Sequence, residues 1–472
     1  MYKLTKTDFM LFLSCPKSLW VLKNDRKNYT EGEFTLFAKK LQDEGYEVED
    51  YVKMFFDNDA NREADFQASF ESQDGLYSRV DALESLPNGK NILYEIKSAT
   101  NPKKEFIKDI CFQKICCEKT GTKIDKTYLV HLNKKYIKVE KIIPEELIVF
   151  RDVTDEVENI YEETKIEIDE ALSFLSLPKI NINSCSCIEK SRSKHCDTFG
   201  YFNNTISKTS IYMLPRLSNK KRLDLIEKNI FELKDIPKDY DLSDIQENVL
   251  LSANLNKPQI NTKDIINLLE TYEYPIHFFD YETYGSAIPL VDGISPHKQF
   301  PVQYSLHVLN QDGSLTHKEF LQKNARLPYN LIEKMEVDLG STGSIATWHA
   351  SFEKSQNNEM AKWFPDKANF LNKLNDRIVD LEDFFKKSYV DVGFEGSTSI
   401  KRVLPIVCPN EQGYVGLEIN NGSAAMDAWK RMIEANIDKS KILAKDLLEY
   451  CKMDSLAMVE IFKFLKNISN NV

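Results

Sequence analysis

The chain has no run of about 18 apolar residues, so no segment is expected to cross a bilayer as a helix. It has no surplus of positive charge: 62 Lys and Arg stand against 73 Asp and Glu, a net −11. That balance excludes a nucleic-acid coat with a broad basic face. It does not exclude a nuclease, whose centre is itself acidic and neutralised by metal. Only 16 Gly and 16 Pro occur, and no internal repeat or low-complexity tract interrupts the sequence. The opening residues, MYKLTKTDFMLFLSCPKSLW, hold a short apolar patch but neither the h-region nor the small-residue cleavage site of a signal peptide. A cytoplasmic protein without membrane attachment is the expectation. In that compartment the nine cysteines are not expected to form a disulfide framework, and their clustering matters more than their number.

At 472 residues the chain is too long for one ordinary core, and two or three domains are expected. Helical and strand patterns alternate over residues 1–170 of an expected first domain of residues 1–204. A helix over LFAKKLQDEGYEVEDYVKMFF precedes strands LYSRVDALE and NILYEIKSA, joined at Asn88-Gly89, a strong turn signal. A helix over PKKEFIKDICFQKICCEKTG, strands TYLVHLN and IKVEKII, and a helix near 154–175 follow. Residues 205–268 read as a charged connector with short helical pieces, expected to pack on both sides. A second alternation fills 269–472, with strands HFFDYET, VQYSLHVL and SIATW and a long closing helix. The fold class is α/β in both halves.

HFFDYET is an apolar strand that carries Asp280 and Glu282. Positions two apart share a strand face, so both carboxylates point the same way. Like charges side by side call for a cation between them, and hard oxygen donors suit Mg²⁺ or Mn²⁺. The closing helix supplies a test. Leu447, Cys451, Met458, Ile461 and Leu465 form an apolar stripe at helical spacing, and Asp454 falls inside it. Unpaired acids are rarely buried, so Asp454 needs a partner. Tyr450, four residues earlier, shares its face. Glu353, opening the helix after SIATW, completes a set of four carboxylates suited to two-metal phosphodiester hydrolysis.

This pattern resembles the DnaQ-like (DEDD) exonuclease superfamily in its tyrosine variant, over about 270–470. The resemblance implies an RNase H-like mixed-sheet domain. It makes Asp280, Glu282, Glu353 and Asp454 the metal ligands and Tyr450 the residue that positions water. One departure stands out: the third acid is normally Asp preceded by Asn, whereas this chain has His349-Ala-Ser-Phe352-Glu353, one methylene longer.

A second constellation lies on the first hairpin: Asp81, then Glu95-Ile96-Lys97. Two carboxylates bind a cation, and a lysine orients water or stabilises developing phosphate charge. Glu49 could add a ligand and Gln113 a contact to substrate or bound water. This resembles the PD-(D/E)xK restriction-endonuclease-like superfamily in its RecB-like, CRISPR-associated exonuclease branch, over about 1–200. Here Glu49 stands in the His place of a Gly-x-x-Val-His motif, and Cys117 in the Tyr place of Gln-x-x-x-Tyr.

Cys15, far upstream, and Cys185, Cys187 and Cys196 match the arrangement that holds a [4Fe–4S] cluster in the same branch. Zinc, with His195 replacing one thiolate, is the alternative. Cys111, Cys116, Cys408 and Cys451 sit in apolar contexts and read as core. The pairing of the two modules, with CSCIEKSRSKHCDTFGYFN and Gln303-Tyr304-Ser305-Leu306-His307, resembles a bacterial family that ends in a domain of unknown function. Gln303 and His307 read as packing or groove residues. The implied activity is a metal-dependent exonuclease acting on nucleic acid, DNA foremost, in repair, recombination or phage defence. The alternative is a nucleic-acid-binding protein with one or both sites degenerate. A third reading keeps only the C-terminal half catalytic and makes the N-terminal half a DNA clamp.

Overall fold

The computed structural model describes residues 2–29, 36–58, 62–411, 413–414 and 416–470. It is mixed α/β and divides into two compact units, one of residues 1–205 and 286–298, the other of 206–285 and 299–472. Among the described residues no helix is long and apolar enough to cross a membrane.

In the first unit the strand Asn91–Lys97 lies at the centre of a five-stranded mixed sheet. It pairs antiparallel with Ala82–Ser85 and parallel with Lys126–Leu132. Alternation splits its side chains between two cores. Leu93 faces the helices Lys6–Ser14, Lys104–Lys119 and Thr154–Leu175. Ile92 and Tyr94 face Val48, Val52 and Phe56 of the helix Leu36–Asp57. Ala287 and Ile288 are buried in that second core.

Two expected strands differ. LYSRVDALE breaks in two: Leu76–Arg79 joins a small sheet with Leu4–Thr5 and Ser69–Glu71, and Ala82–Ser85 joins the large one. Val80 and Asp81 sit at the switch, where the Val80 amide donates to the Ala68 carbonyl and the Asp81 carbonyl accepts from Gln67. IKVEKII is no sheet strand. Lys138 instead exchanges backbone hydrogen bonds with Gly293 and Ile294, which leaves Val139 exposed; the edge strand is Ile148–Asp152. The Asn88-Gly89 turn forms as expected, with Gly89 at φ +77°.

In the second unit the strand Ile276–Tyr284 is central to five strands. It runs antiparallel to Phe300–Leu309 and parallel to Ile345–Thr347. Phe279 and Tyr281 pack on one face; Phe278 packs on the other with Met458, Ile461 and Phe462 of the closing helix Ile437–Asn470. Ile211, Leu225, Leu233 and Val249 build a satellite core that closes on Val390, within this second unit.

Candidate metal centres

The closing helix lies on the Phe278 face of the sheet, and the apolar stripe is why. Leu447, Cys451, Met458, Ile461 and Leu465 are all buried, which brings Asp454, only 8% exposed, against the Asp280 strand. Gln303 and His307 act as fasteners for that helix. The Gln303 amide donates to the Leu447 carbonyl at 2.9 Å, and His307 shares a 2.8 Å hydrogen bond with Ser455. A bulge just after Glu282 shifts the register, a common device beside functional sites.

Glu353 sits in the first turn of the helix Ser351–Trp363, where a helix N-terminus favours an acid. It is 2% exposed and its Oε2 has no hydrogen-bond partner among the described residues. Burial pushes Glu353 and Glu282 up to about 8, the Asp454 charge adding to the shift of Glu282. Burial, then the charges of Asp454, Glu282 and Glu353, raise Asp280 further still. Asp454 rises less, to about 6: burial raises it, while hydrogen bonds from Tyr414 and Tyr450 and the charge of Lys401 restrain it.

Sequence reasoning missed Lys401 and Tyr414. Lys401 Nζ donates to the Tyr450 hydroxyl at 3.1 Å and stands over both the Tyr450 and Tyr414 rings, 4.8 and 4.9 Å from their centroids. Tyr414 donates to Asp454 Oδ1. The one available signal was the Lys401-Arg402 pair of cations in the helix Ile400–Val407, whose other residues are apolar. Cys451, expected as plain core, lies with Asp280 and Glu282 so that one ligand atom of each falls within 4.8 Å of the others.

The first unit's acids are arranged differently. Lys6 and Lys97 each donate to Glu95 Oε1 at 2.7 Å, and Gln113 donates to its other oxygen. Burial alone would raise Glu95, but the two lysines pull it down to about 2. Asp109 holds Lys97 at 2.7 Å. Asp81 accepts the Ile96 amide at 2.8 Å; burial and the Glu95 charge lift it to about 7. Glu49, Asp81 and Lys97 line one cleft of about 600 Å³ with Lys6 and Arg79. Glu49 is already engaged by Lys53 at 2.8 Å and by Gln67. Lys6 and Asp109 carried no sequence signal.

Cys15, Cys185, Cys187 and Cys196 do converge, with their sulfurs all within 4.8 Å of one another. Pro16 explains Cys15: a residue before proline avoids helical dihedrals, so Cys15 is extended and separates the helices Lys6–Ser14 and Pro16–Asn24. Hydrogen bonds from the Cys15 and Cys196 thiols draw Cys185 down to about 3. His195 is not in the set; its ring stacks on Phe199. Cys111, Cys116 and Cys117 are buried, Cys408 partly so.

Unpaired buried acids and converging thiols fit metals better than they fit a closed core, because buried charges are normally paired or coordinate a metal. Asp280, Glu282, Glu353 and Asp454 offer hard oxygens, and the four cysteines offer soft sulfur.

A family model described as a domain of unknown function (DUF2779) matches residues 277–399, a span that holds Asp280, Glu282 and Glu353. The uncharacterized protein MG366 of Mycoplasma genitalium is 27% identical over 214 residues, which is 40% of this chain and 32% of the relative. Its homolog in Mycoplasma pneumoniae is 26% identical over 216 residues, 41% of this chain and 32% of the relative. The uncharacterized protein UU173 of Ureaplasma parvum is 27% identical over 224 residues, covering 40% and 31%. The chain thus spans about a third of the length of the curated relatives it matches, and its similarity to them runs through proteins and a domain whose descriptions name no activity.

Proposed function

We propose that the protein is a divalent-metal-dependent nuclease whose main catalytic head is the Asp280–Glu282–Glu353–Asp454 centre. The observation that carries this reading is the acid set on the central strand and closing helix, with Glu353 Oε2 unpartnered among the described residues and the Lys401 charge acting on Glu282 and Asp454. A mixed sheet with Asp-x-Glu on its central strand and Tyr-x-x-x-Asp on a helix across one face supports an RNase H-like, DnaQ-like domain. Mg²⁺ or Mn²⁺ held by these carboxylates would supply Lewis-acid stabilisation of the attacking and leaving oxygens of a phosphodiester. Tyr450 would hold the attacking water. Lys401 donates to the phenol oxygen and so turns the phenol proton toward Asp454, which would hold the Tyr450 hydroxyl beside the metal ligands. DNA is the proposed substrate, and the protein is proposed to work in the cytoplasm.

The first unit supports a PD-(D/E)xK-like reading by its Asp81 and Glu95-x-Lys97 placement, and its cleft supports a role in holding nucleic acid. The thiolate site supports a resident metal. A tetrahedral ion with bonds of 2.3 Å sets its sulfurs about 3.8 Å apart, and Cys185 and Cys196 stand 3.9 Å apart. That spacing favours single zinc over a [4Fe–4S] cluster, and anaerobic protein that is colourless and zinc-loaded would bear it out; brown protein would overturn it.

The activity test uses labelled single- and double-stranded DNA and RNA with Mg²⁺ or Mn²⁺. Asp280→Ala should remove several kcal/mol of transition-state stabilisation, a loss of about 10³-fold. Lys97→Ala should reduce whatever cleavage the first unit contributes. If neither substitution changes cleavage of any substrate, or no cleavage occurs with either metal, the nuclease reading fails.

A further inference from the structure

Cys451 has the wrong surroundings for a core thiol. It is fully buried, yet its Sγ lies 3.8 Å from Asp280 Oδ2 and 3.9 Å from the Asp280 carbonyl oxygen. Both contacts are too long to be more than weak hydrogen bonds. Glu282, 9% exposed, completes a three-donor group with them, and it accepts no hydrogen bond from any described residue. Glu353 Oε2, whose carboxylate charge reaches Asp280, is buried and has no hydrogen-bond partner among the described residues.

Magnesium wants six oxygens in a near-ideal octahedron and gains nothing from sulfur. Zinc and its heavier congener cadmium have no d-electron preference for geometry and take sulfur and carboxylate together. A tetrahedral ion with a sulfur bond of about 2.3 Å and an oxygen bond of about 2.0 Å holds the two donors roughly 3.5 Å apart. The observed 3.8 Å is a few tenths from that value. We propose that Asp280, Glu282 and Cys451 form an oxygen–oxygen–sulfur site for a thiophilic divalent cation, which competes with Mg²⁺ or Mn²⁺ for the same two carboxylates.

Binding breaks the Cys451 S–H bond and any carboxyl O–H bond on Asp280 or Glu282, forms one metal–sulfur and two metal–oxygen bonds, and releases those protons to solvent; nothing is oxidised or reduced. The site itself needs no enzymatic activity. Only its consequence, that zinc silences the nuclease by displacing the hard ion, rests on the proposed function.

The experiment titrates Cd²⁺ into full-length protein whose four-cysteine site is already zinc-loaded. Cys451→Ala runs in parallel and reports any exchange at those four cysteines. Wild type should take up one more cadmium than the variant, with an added sulfur-to-cadmium ultraviolet band. Cys451→Ala and the volume-conserving Cys451→Ser should lose the band. They should weaken cadmium binding by at least the roughly 10–100-fold that loss of an outer-shell partner costs a metal site. Binding of Mn²⁺ should be unchanged, which also shows that the variants are folded. Equal cadmium uptake and equal bands in wild type and both variants would overturn the proposal. A cadmium band in a protein that cleaves nothing would leave this site standing and sink the nuclease reading. A Mg²⁺-dependent nuclease without the band, indifferent to zinc, would do the reverse.

Discussion

In the first unit the buried carboxylate of Glu95 meets Lys6, Lys97 and Gln113, all supplied by its own chain. In the second, Asp280 meets the charges of three further carboxylates and a thiol. Among the described residues, Lys401 brings a positive charge to Glu282 and Asp454, and it donates to the Tyr450 hydroxyl rather than to a carboxylate oxygen. The first cluster therefore folds with its charge balanced. The second folds by holding protons, and a divalent cation would replace them. Two acid motifs have opposite needs, and the difference lies in two lysines, Lys97 inside the first motif and Lys6 far upstream of it.

The comparison is broken most directly at Glu95. Glu95→Gln should strand Lys6 beside a neutral amide, leave Lys97 to Asp109 alone, and destabilise the protein by about 3–5 kcal/mol. Glu282→Gln should do the opposite in metal-free protein. It removes an acid whose ionisation folding opposes, and it should stabilise by on the order of 1–3 kcal/mol near neutral pH while abolishing stabilisation by Mn²⁺. Denaturant midpoints in chelator and in Mn²⁺ check both; equal signs for the two substitutions would erase the distinction.

The pH dependence sharpens it. Burial raises Glu282 and Glu353 from 4.5 to about 8, so the folded state keeps protons that the unfolded chain has released. Stability then falls as pH rises through that window. His277 and His307, lowered by burial from 6.5 to about 4, contribute stability that grows with pH, but only up to 6.5. Between pH 6.5 and 8 the acids set the slope, and metal-free protein should melt at progressively lower temperature. Saturating Mn²⁺ should flatten that slope. The smallest expected effect is that of Tyr414→Phe, which removes one hydrogen bond to Asp454 and should cost about 1 kcal/mol.

The second centre was largely legible in the sequence because its residues violate local patterns. Asp280 and Glu282 interrupt an apolar strand, and Asp454 interrupts an apolar helical stripe. The four cysteines were legible because thiols are scarce enough for their clustering to stand out. Lys6, Asp109, Lys401 and Tyr414 were not, because common surface residue types reveal their partners only after the chain has folded. The misread strands fail for a related reason. LYSRVDALE and IKVEKII alternate correctly, yet the hydrogen-bond partners that break them, Ala68, Gln67, Gly293 and Ile294, lie in other segments. Alternation describes faces and is silent about which strand lies alongside.

Residues 286–298 follow directly on the Asp280 strand in sequence, and Ala287 and Ile288 belong to the core around Val48, Val52 and Tyr94. A chain cut after residue 205 would leave that core short of two buried side chains. Recombination at a single joint would not transplant the first unit whole, and a ribosome would have to make the Asp280 strand before the first unit could finish folding. Thirteen residues that follow the Asp280 strand in sequence thus belong to the first unit.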